Sequence, residues 1–308
     1  MRISSSHAFE ASVSNLQRRQ QALTTAQEQL TSGKRVMRAG DDPAAAAQAE
    51  RALAALTRSQ SQQRALGASQ AAMELAESAL GDAGELLQQA REHIVAAGNG
   101  SMGDAERRSL ALAIQGLRAD LFAVANRNDG AGRYLFGGQG SDVAPFADNP
   151  GGVSYQAAAG GMEAAAGESS PLSVDGQLTW LQAPDPANPG STLSVFDVMD
   201  RVVSELLTTG RSSAQVAQTV ATGLRDVDAS ANHLSAGRSR AGEALNRIDG
   251  IGERLSQSAL DAQRARSDAE DLDMLQAISD FQNKQTGYEA ALKTYSIVQK
   301  MSLFDYLR

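Results

Sequence analysis

The residue types that perform catalysis or bind metals are scattered through this chain. Its three histidines, His7, His93 and His233, lie far apart in sequence, and each falls within a helical pattern. His7 and Glu10 have the spacing of two ligands on one helical turn, but a zinc site needs further ligands nearby. We therefore predict no metal site and no catalytic histidine.

Two other short motifs could bind ions, and each has a simpler structural interpretation. Asp41 and Asp42 could offer carboxylates to a cation, but no further ligand follows at the spacing of a metal loop. Asp42 instead suits a helix N-cap, followed by Pro43 at the first helical position. The segment 137–140 is rich in glycine, but no basic, hydroxyl-bearing helix start follows it as in a phosphate loop. The sequence predicts neither a cofactor nor an enzyme.

The composition favours long helices over a thick globular core. Of 308 residues, 42% are hydrophobic but only 4% are aromatic, and the helical segments are rich in alanine. A net charge of -8 argues against a nucleic-acid partner. The chain has no cysteine, which excludes disulfides. No apolar stretch approaches the ~18 residues that a bilayer-spanning helix needs, so we expect no membrane insertion.

The first and last segments carry matching heptad patterns, which are typical of helices that pair with another helix. The residues that we assign to helix pairing and assembly are Phe9, Val13, Leu16, Leu23 and Leu30 in the first segment, and Ile278, Phe281, Tyr288, Leu292 and Tyr295 in the last. Glutamines occupy the positions between them, and buried glutamines would fix the register at a cost in stability. We expect the two segments to pair and to be marginally stable without neighbouring molecules.

The region between these ends predicts a helical rod with one insertion. Leu66, Met73, Leu80, Leu87 and Ile94 recur every seven residues, and Ser194 is placed as an N-cap where helices resume. We predict a mainly α fold, an elongated antiparallel helical rod with paired terminal helices and a small β-rich inserted domain. Residues 1–40 and 270–308 would form a coiled-coil stem, 41–138 and 192–269 the rod, and 139–191 the insert.

The insert is marked by six of the chain's seven prolines, between Pro145 and Pro189. Within it, two alternating runs flank Asp175-Gly176, which predicts a β-hairpin over 172–180. The segment 134–138 just before the insert predicts a brief strand or an extended segment.

Two stretches carry a resemblance to a known family. Residues 30–36, Leu-Thr-Ser-Gly-Lys-Arg-Val, continue into Gly-Asp-Asp-Pro-Ala-Ala-Ala at 40–46, and together they resemble the N-terminal signature of the flagellins. The Gly-Lys-Arg form with Asp-Asp-Pro is more similar to the hook–filament junction proteins of that family than to its filament proteins. The motifs at 134–138 and 301–307 are similar to the same junction proteins, whereas 139–191 carries no resemblance.

The resemblance implies a structural protein of the bacterial flagellum, located outside the cell and exported unfolded without a cleaved signal peptide. It would assemble as a ring between another junction protein on the hook side and flagellin. A cytoplasmic export chaperone would bind the C-terminal helices. The alternatives are a filament flagellin itself and, from a different class, a type III secretion translocator, which would need the apolar segment that is missing here.

Overall fold

The computed structural model describes residues 2–139, 142–160, 163–166 and 168–306. Within them the chain forms helices α1 (Arg2–Ser32), α2 (Pro43–Ala97), α3 (Asp104–Ala125), α4 (Gly176–Leu181), α5 (Val195–Leu207), α6 (Ser213–Glu270) and α7 (Met274–Tyr306). The mainly α fold is confirmed. The chain divides into two compact units, which we call the terminal unit (Met1–Ser59 with Gln257–Arg308) and the central unit (Gln60–Ser256). The division into stem, rod and insert stays a prediction.

Local capping residues set the ends of several helices. α1 ends before Gly33, whose φ of 71° is the left-handed conformation that glycine adopts at little cost. α2 begins directly after Asp42, whose carboxylate accepts a hydrogen bond from the Ala45 N–H at 3.0 Å. Ser194 caps α5 in the same way, since its hydroxyl accepts a hydrogen bond from the Asp197 N–H at 3.4 Å. The caps expected at Gly33, Asp42 and Ser194 are therefore confirmed.

In the terminal unit, the first and last helices of the chain lie side by side. α1 and α7 contact each other along their length. Phe9 near the start of α1 meets Tyr295 in the later part of α7, whereas Ala26 and Ala277 lie together at the other end of the pair. The two helices are therefore antiparallel, and the predicted pairing of the chain's ends is confirmed.

The central unit contains a closely packed apolar core. Met73, Leu80, Leu87 and Ile94 of the α2 heptad pattern are all at most 2% exposed. α5 buries Val195, Phe196, Val198, Met199, Val202, Val203 and Leu206. The α5 side chains meet Leu80, Leu87 and Ile94 of α2 and side chains of α3 and α6 in one contiguous cluster. Because each buried aliphatic side chain contributes about 1.5–3 kcal/mol, this cluster is the main source of stability in the unit.

Aromatic residues join the inserted segment to this core. Trp180 of α4 is fully buried, stacks on Phe196 of α5 at a centroid distance of 5.9 Å, and meets the Phe136 ring edge-on at 5.2 Å. Phe146, which is also buried, contacts Phe196 at 6.0 Å. Phe146 and Trp180 thus anchor the insert to the helices through the same hydrophobic core.

A buried arginine makes a second connection between the insert and the helices. The Arg118 guanidinium of α3 donates a pair of hydrogen bonds to the Asp148 carboxylate, one of them 2.9 Å long. It also donates to Asp200 of α5 at 3.0 Å and lies 5.8 Å and 5.7 Å from the ring centroids of Phe122 and Phe196. The Arg118 side chain is only 10% exposed, so its charge is compensated by these carboxylates and by the aromatic faces.

The strands form three antiparallel pairs among the described residues. β1 (Phe146–Asn149) pairs with β2 (Gly152–Tyr155), β3 (Glu163–Ala166) with β4 (Glu168–Pro171), and β5 (Ala183–Pro184) with β6 (Thr192–Leu193). A small strand-containing region is therefore present, as predicted, between α3 and α5.

One expectation about local structure in this region is wrong. Asp175-Gly176 does not form a hairpin turn: Asp175 caps α4, its carboxylate accepting from the Leu178 N–H at 3.1 Å. The helix carries Trp180, which is fully buried in the hydrophobic core. The segment 134–138, predicted as a brief strand or extended segment, forms isolated bridges at Tyr134, Gly137 and Gly138.

Candidate assembly surface on the terminal helices

The face of α1 that meets α7 consists of widely spaced apolar side chains. Val13, Leu16, Leu23 and Leu30 are half-buried, and Ala26 is 5% exposed. Gln20 and Gln27, which the heptad pattern placed between them, are exposed. The predicted polar layer in the seam is therefore wrong on the α1 side, and Ala26 lies there instead.

On α7, an aromatic side chain lies against α1. The ring of Tyr295 lies 5.8 Å from that of Phe9. Phe281, Tyr288 and Tyr295 are half-buried, whereas Phe9 is 50% exposed. The assignment of Phe281 and Tyr288 to helix pairing stays a prediction.

Ile278 and Leu292 are not buried by the contact between α1 and α7. They are 44% and 41% exposed, and their assignment to helix pairing stays a prediction. Two rows of side chains flank the aromatic row on α7, one through Ile278 and Leu292 and the other through Ala277 and Ala291. The alanine row is half-buried and is the one that α7 turns toward α1.

Small residues of α7 also leave room for side chains of α1. A Cβ placed on Gly287 of α7 would lie 2.9 Å from the Arg19 guanidinium of α1, so a larger residue there would have to displace the end of that flexible side chain. The larger apolar side chains Ile278 and Leu292 in the other row remain exposed.

Several large apolar side chains of α7 are exposed. They are Met274, Leu275, Ile278, Leu292 and Ile297, with exposures from 41% to 85%. At about 100° per residue, Met274, Ile278 and Leu292 fall within about 40° of one another around the helix axis. A row of this kind is typical of a helix that contacts a further partner. We call Met274, Ile278 and Leu292 the α7 stripe.

The segment that follows α1, which carries the flagellin-like motif, is hydrogen-bonded to the connection between α6 and α7. The Arg35 N–H donates to the Glu270 carbonyl at 2.7 Å, and the Leu272 N–H donates to the Gly33 carbonyl at 3.0 Å. The Arg35 guanidinium donates to the Ala269 carbonyl at 2.9 Å. Backbone hydrogen bonds thus hold the end of α1 beside the connection between α6 and α7. We call this set of contacts the tie.

Ion pairs surround this tie. Glu270, whose side chain is 15% exposed, pairs with Lys34 at 3.2 Å and with Arg266 at 2.8 Å. Arg35 pairs with Asp42 at 3.1 Å. Hydrogen bonding from the Ala45 backbone N–H, together with Arg35, lowers the pKa of Asp42 below its usual value, so this cap stays ionised at neutral pH. The Lys-Arg and Asp-Asp parts of the motif are therefore structural, with no ligand needed to explain them.

The pattern-based assignment missed several residues of this surface. Ala26, Ala277, Gly287 and Ala291 form the close contact, and Glu270 forms the tie. The heptad spacing of small residues could have identified them. Ile278 and Leu292, the larger neighbours on α7, fit the same heptad template.

The described residues offer no site for metal-dependent chemistry. Among them, no group of three His, Asp or Glu side chains lies close enough to hold a metal ion. His233 is engaged with the Leu178 carbonyl at 2.8 Å. In the described part of the chain, no helix combines the length and the apolarity that crossing a membrane requires.

Comparison with known families gives two matches at the two ends of the chain. Residues 3–141 match the bacterial flagellin N-terminal helical region, and residues 224–307 match the bacterial flagellin C-terminal helical region. The matched segments contain α1 and α7, together with the tie that connects them.

Curated relatives match almost the whole chain. Flagellar hook-associated protein 3 of Escherichia coli is 32% identical over 90% of both chains. The protein of the same name from Salmonella typhimurium is 30% identical over the full length of both. A flagellin of Bacillus subtilis is 25% identical over 82% of both.

Solved structures show the same fold at lower identity. A putative flagellar hook-associated protein from Vibrio parahaemolyticus superposes with a TM-score of 0.66 at 18% identity, covering 75% of this chain and all of that one. The flagellar junction protein FlgL from Legionella pneumophila gives a TM-score of 0.60 at 18% identity, covering 73% and 100%.

Proposed function

Because the chain belongs to the flagellin family and matches flagellar hook-associated protein 3 along its length, we propose that it is a structural junction protein of the bacterial flagellum. In this role, copies of the chain assemble as a ring through their terminal helices. One side of the ring contacts a junction protein toward the hook, and the other contacts flagellin. The family relatives are structural flagellar proteins, and the chain acts by assembly rather than by catalysis.

The α7 stripe is the observation that carries this proposal. Its three side chains are exposed, although they belong to the helix that pairs the two ends of the chain. A stripe of exposed large apolar residues costs solubility and is retained where it contacts a partner. Neighbouring subunits that cover it would bury Ile278 and Leu292, which α1 leaves uncovered. The helix-pairing residues of both ends then serve two contacts, one within the subunit and one between subunits.

The proposal extends to location and export. The protein would belong to the flagellum outside the cell, reach it unfolded and without a cleaved signal peptide, and bind a cytoplasmic chaperone through its C-terminal helices before export. The same stripe supports this step, since an exposed apolar helix face needs protection from aggregation until assembly.

A strain that lacks this protein tests the proposed position. We expect intact hooks without filaments, with unassembled flagellin released into the medium. Normal hooks carrying filaments would contradict the junction role. Loss of the filament subunit itself, with its junction proteins still present on the hook, would indicate a filament flagellin.

Point variants test whether the α7 stripe is needed for assembly but not for folding of the subunit. We expect the double variant Ile278→Asp with Leu292→Asp to be secreted but to fail to support filaments, because charged side chains cannot be buried between subunits. Asn283→Asp places a charge on the opposite, exposed side of the same helix and serves as the matched control. Normal filaments in the double variant would contradict the role of the stripe, provided that circular dichroism shows both variants folded like the wild type.

A further inference from the structure

The connection between α2 and α3 contains a chemically reactive dipeptide. Asn99-Gly100 is the single place in the sequence where asparagine precedes glycine. Both residues are exposed, as is Ser101 after them. The dipeptide lies in a loop and not in a helix, so its backbone is not fixed by a helical hydrogen-bond ladder.

Two hydrogen bonds polarise the Asn99 side-chain carbonyl. Its Oδ1 accepts a hydrogen bond from the Ser101 backbone N–H at 3.1 Å and another from the Ser101 hydroxyl at 2.9 Å. Donors placed on a carbonyl oxygen stabilise the negative charge that develops there when a nucleophile attacks the carbon. The side-chain amide carbon of Asn99 is therefore activated as an electrophile.

The adjacent backbone nitrogen is available as the nucleophile. Among the described residues, no acceptor takes a hydrogen bond from the Gly100 N–H, whereas the Asn99 N–H donates to the Ala96 carbonyl of α2 and the Met102 N–H donates to the Asn99 carbonyl. Apart from the residues next to it in the chain, no heavy atom lies within 4 Å of the position that a Gly100 Cβ would occupy. Gly100 therefore keeps the conformational freedom of glycine in an uncrowded loop.

We propose that Asn99 is a site of spontaneous deamidation assisted by the backbone. The Gly100 nitrogen attacks the Asn99 Cγ, the new C–N bond closes a five-membered succinimide ring, and the Cγ–Nδ2 bond breaks. The displaced nitrogen leaves as ammonia with the proton from the Gly100 amide. Water then opens the ring at either carbonyl, which yields an aspartyl or an isoaspartyl residue without any other reactant.

The two products affect the loop differently. An aspartyl side chain keeps both Ser101 donors and makes those hydrogen bonds charge-assisted. An isoaspartyl residue adds one methylene to the backbone of a connection that joins α2 at Ala97 to α3 at Asp104. The altered backbone cannot keep the hydrogen bond from the Met102 N–H to the Asn99 carbonyl. The second product therefore loosens the start of α3.

The chain contains internal controls for this reaction. Asn149 and Asn188 each precede a proline, which has no N–H to lose, so the ring cannot close there by this route. Asn126 is held by hydrogen bonds to both the N–H and the carbonyl of Phe146, at 3.0 Å and 3.1 Å. These asparagines should stay as amides under conditions that convert Asn99.

Peptide mass spectrometry of the full-length protein, aged at 37 °C and mildly alkaline pH, tests the proposal. We expect the peptide containing Asn99 to gain the mass difference between an amide and an acid, several-fold faster than peptides containing Asn126, Asn149 or Asn188. Gly100→Ala adds a methyl group in open space, where the backbone φ is not positive, and should slow the reaction several-fold in a folded protein. Ser101→Ala removes one of the two donors and should slow it as well. Retention of the Asn99 amide at the level of Asn126, or an unchanged rate in Gly100→Ala, would overturn the proposal.

Discussion

The terminal and central units use helices in opposite ways. In the central unit, α5 buries seven of its side chains and meets α2, α3 and α6 in one apolar cluster. In the terminal unit, Ala26 is the only buried side chain of α1 among those that the structure describes. Large aliphatic side chains of α7, such as Ile278 and Leu292, are exposed. The central unit completes its core within one chain. The terminal pair leaves the large apolar side chains of Ile278 and Leu292 exposed.

The difference follows from side-chain size at the helix contacts. Trp180, Phe136 and Phe196 are fully buried and fill the central core. The terminal helices meet through Ala26, Ala277 and Gly287, which let the backbones approach but contribute little buried area. A pair of this kind is specific in geometry and weak in stability.

The largest effect is expected from removing the aromatic centre of the central unit. Trp180→Ala should lower the free energy of unfolding by about 3–5 kcal/mol, since the side chain is fully buried and stacked on Phe196. Chemical denaturation followed by circular dichroism measures this change. The exposed neighbour Leu178 provides the control, since Leu178→Ala should change stability by less than about 0.5 kcal/mol. Equal losses in the two variants would contradict the described core.

Breaking the Arg118 connection should have a smaller effect. Arg118→Met keeps much of the side-chain volume but removes the hydrogen bonds to Asp148 and Asp200, and we expect a loss of about 1.5–3 kcal/mol. Both carboxylates are 45% exposed and can be hydrated, so the loss stays below that of a fully buried pair. Tryptophan fluorescence reports this unfolding, because Trp180 is the chain's single tryptophan. Arg108→Met on the exposed face of α3 is the matched control, and a similar loss there would contradict the assignment.

The same connection predicts a pH dependence. Hydrogen bonding to Arg118 lowers the pKa of Asp148 below its ordinary value of 3.8. A carboxyl whose pKa falls on folding stabilises the protein above the unfolded-state pKa and loses that contribution as the pH drops through the folded-state value. Burial raises the pKa of the nearby Asp197, which acts in the opposite direction and favours the folded state when protonated.

We therefore expect Asp148→Asn to be less stable than the wild type at pH 7, with the difference shrinking as the pH falls below about 4. Urea titrations at several pH values measure it. A difference that stays constant down to pH 2 would contradict an ionic role for Asp148.

The smallest effect is expected on the α7 stripe. Leu292→Ala should change the stability of the free subunit by less than about 0.5 kcal/mol, because the side chain is already 41% exposed. Thermal unfolding of the monomer measures this. A loss of 2 kcal/mol or more would mean that Leu292 packs within the subunit after all.

Periodicity and capping chemistry were sufficient to predict most of the helical framework. Asp42, Ser194 and Gly33 mark helix ends because their capping depends on local backbone geometry. The failure at Asp175 has a physical reason: an Asp-Gly pair suits a turn and a helix start equally well, and burial of Trp180 decides between them. The outcome depends on packing in the tertiary core, which a short sequence pattern does not specify.

The candidate surface was predictable only in part for a related reason. A heptad template identifies the row through Phe281, Tyr288 and Tyr295, but it accepts either of the rows beside it. The choice of Ala277 and Ala291 over Ile278 and Leu292 depends on how closely α1 approaches. The side chains that α1 brings to this contact, such as Arg19 beside Gly287, come from the opposite end of the sequence.

Amide hydrogen exchange on the free monomer tests the central contrast most directly. If the terminal pair is stable only with neighbours, the backbone amides of 9–30 and 278–306 should exchange far faster than those of α5 and of residues 80–97 in α2. They should become protected when the protein is assembled. Protection of the terminal helices in the monomer equal to that of the central core would contradict the account.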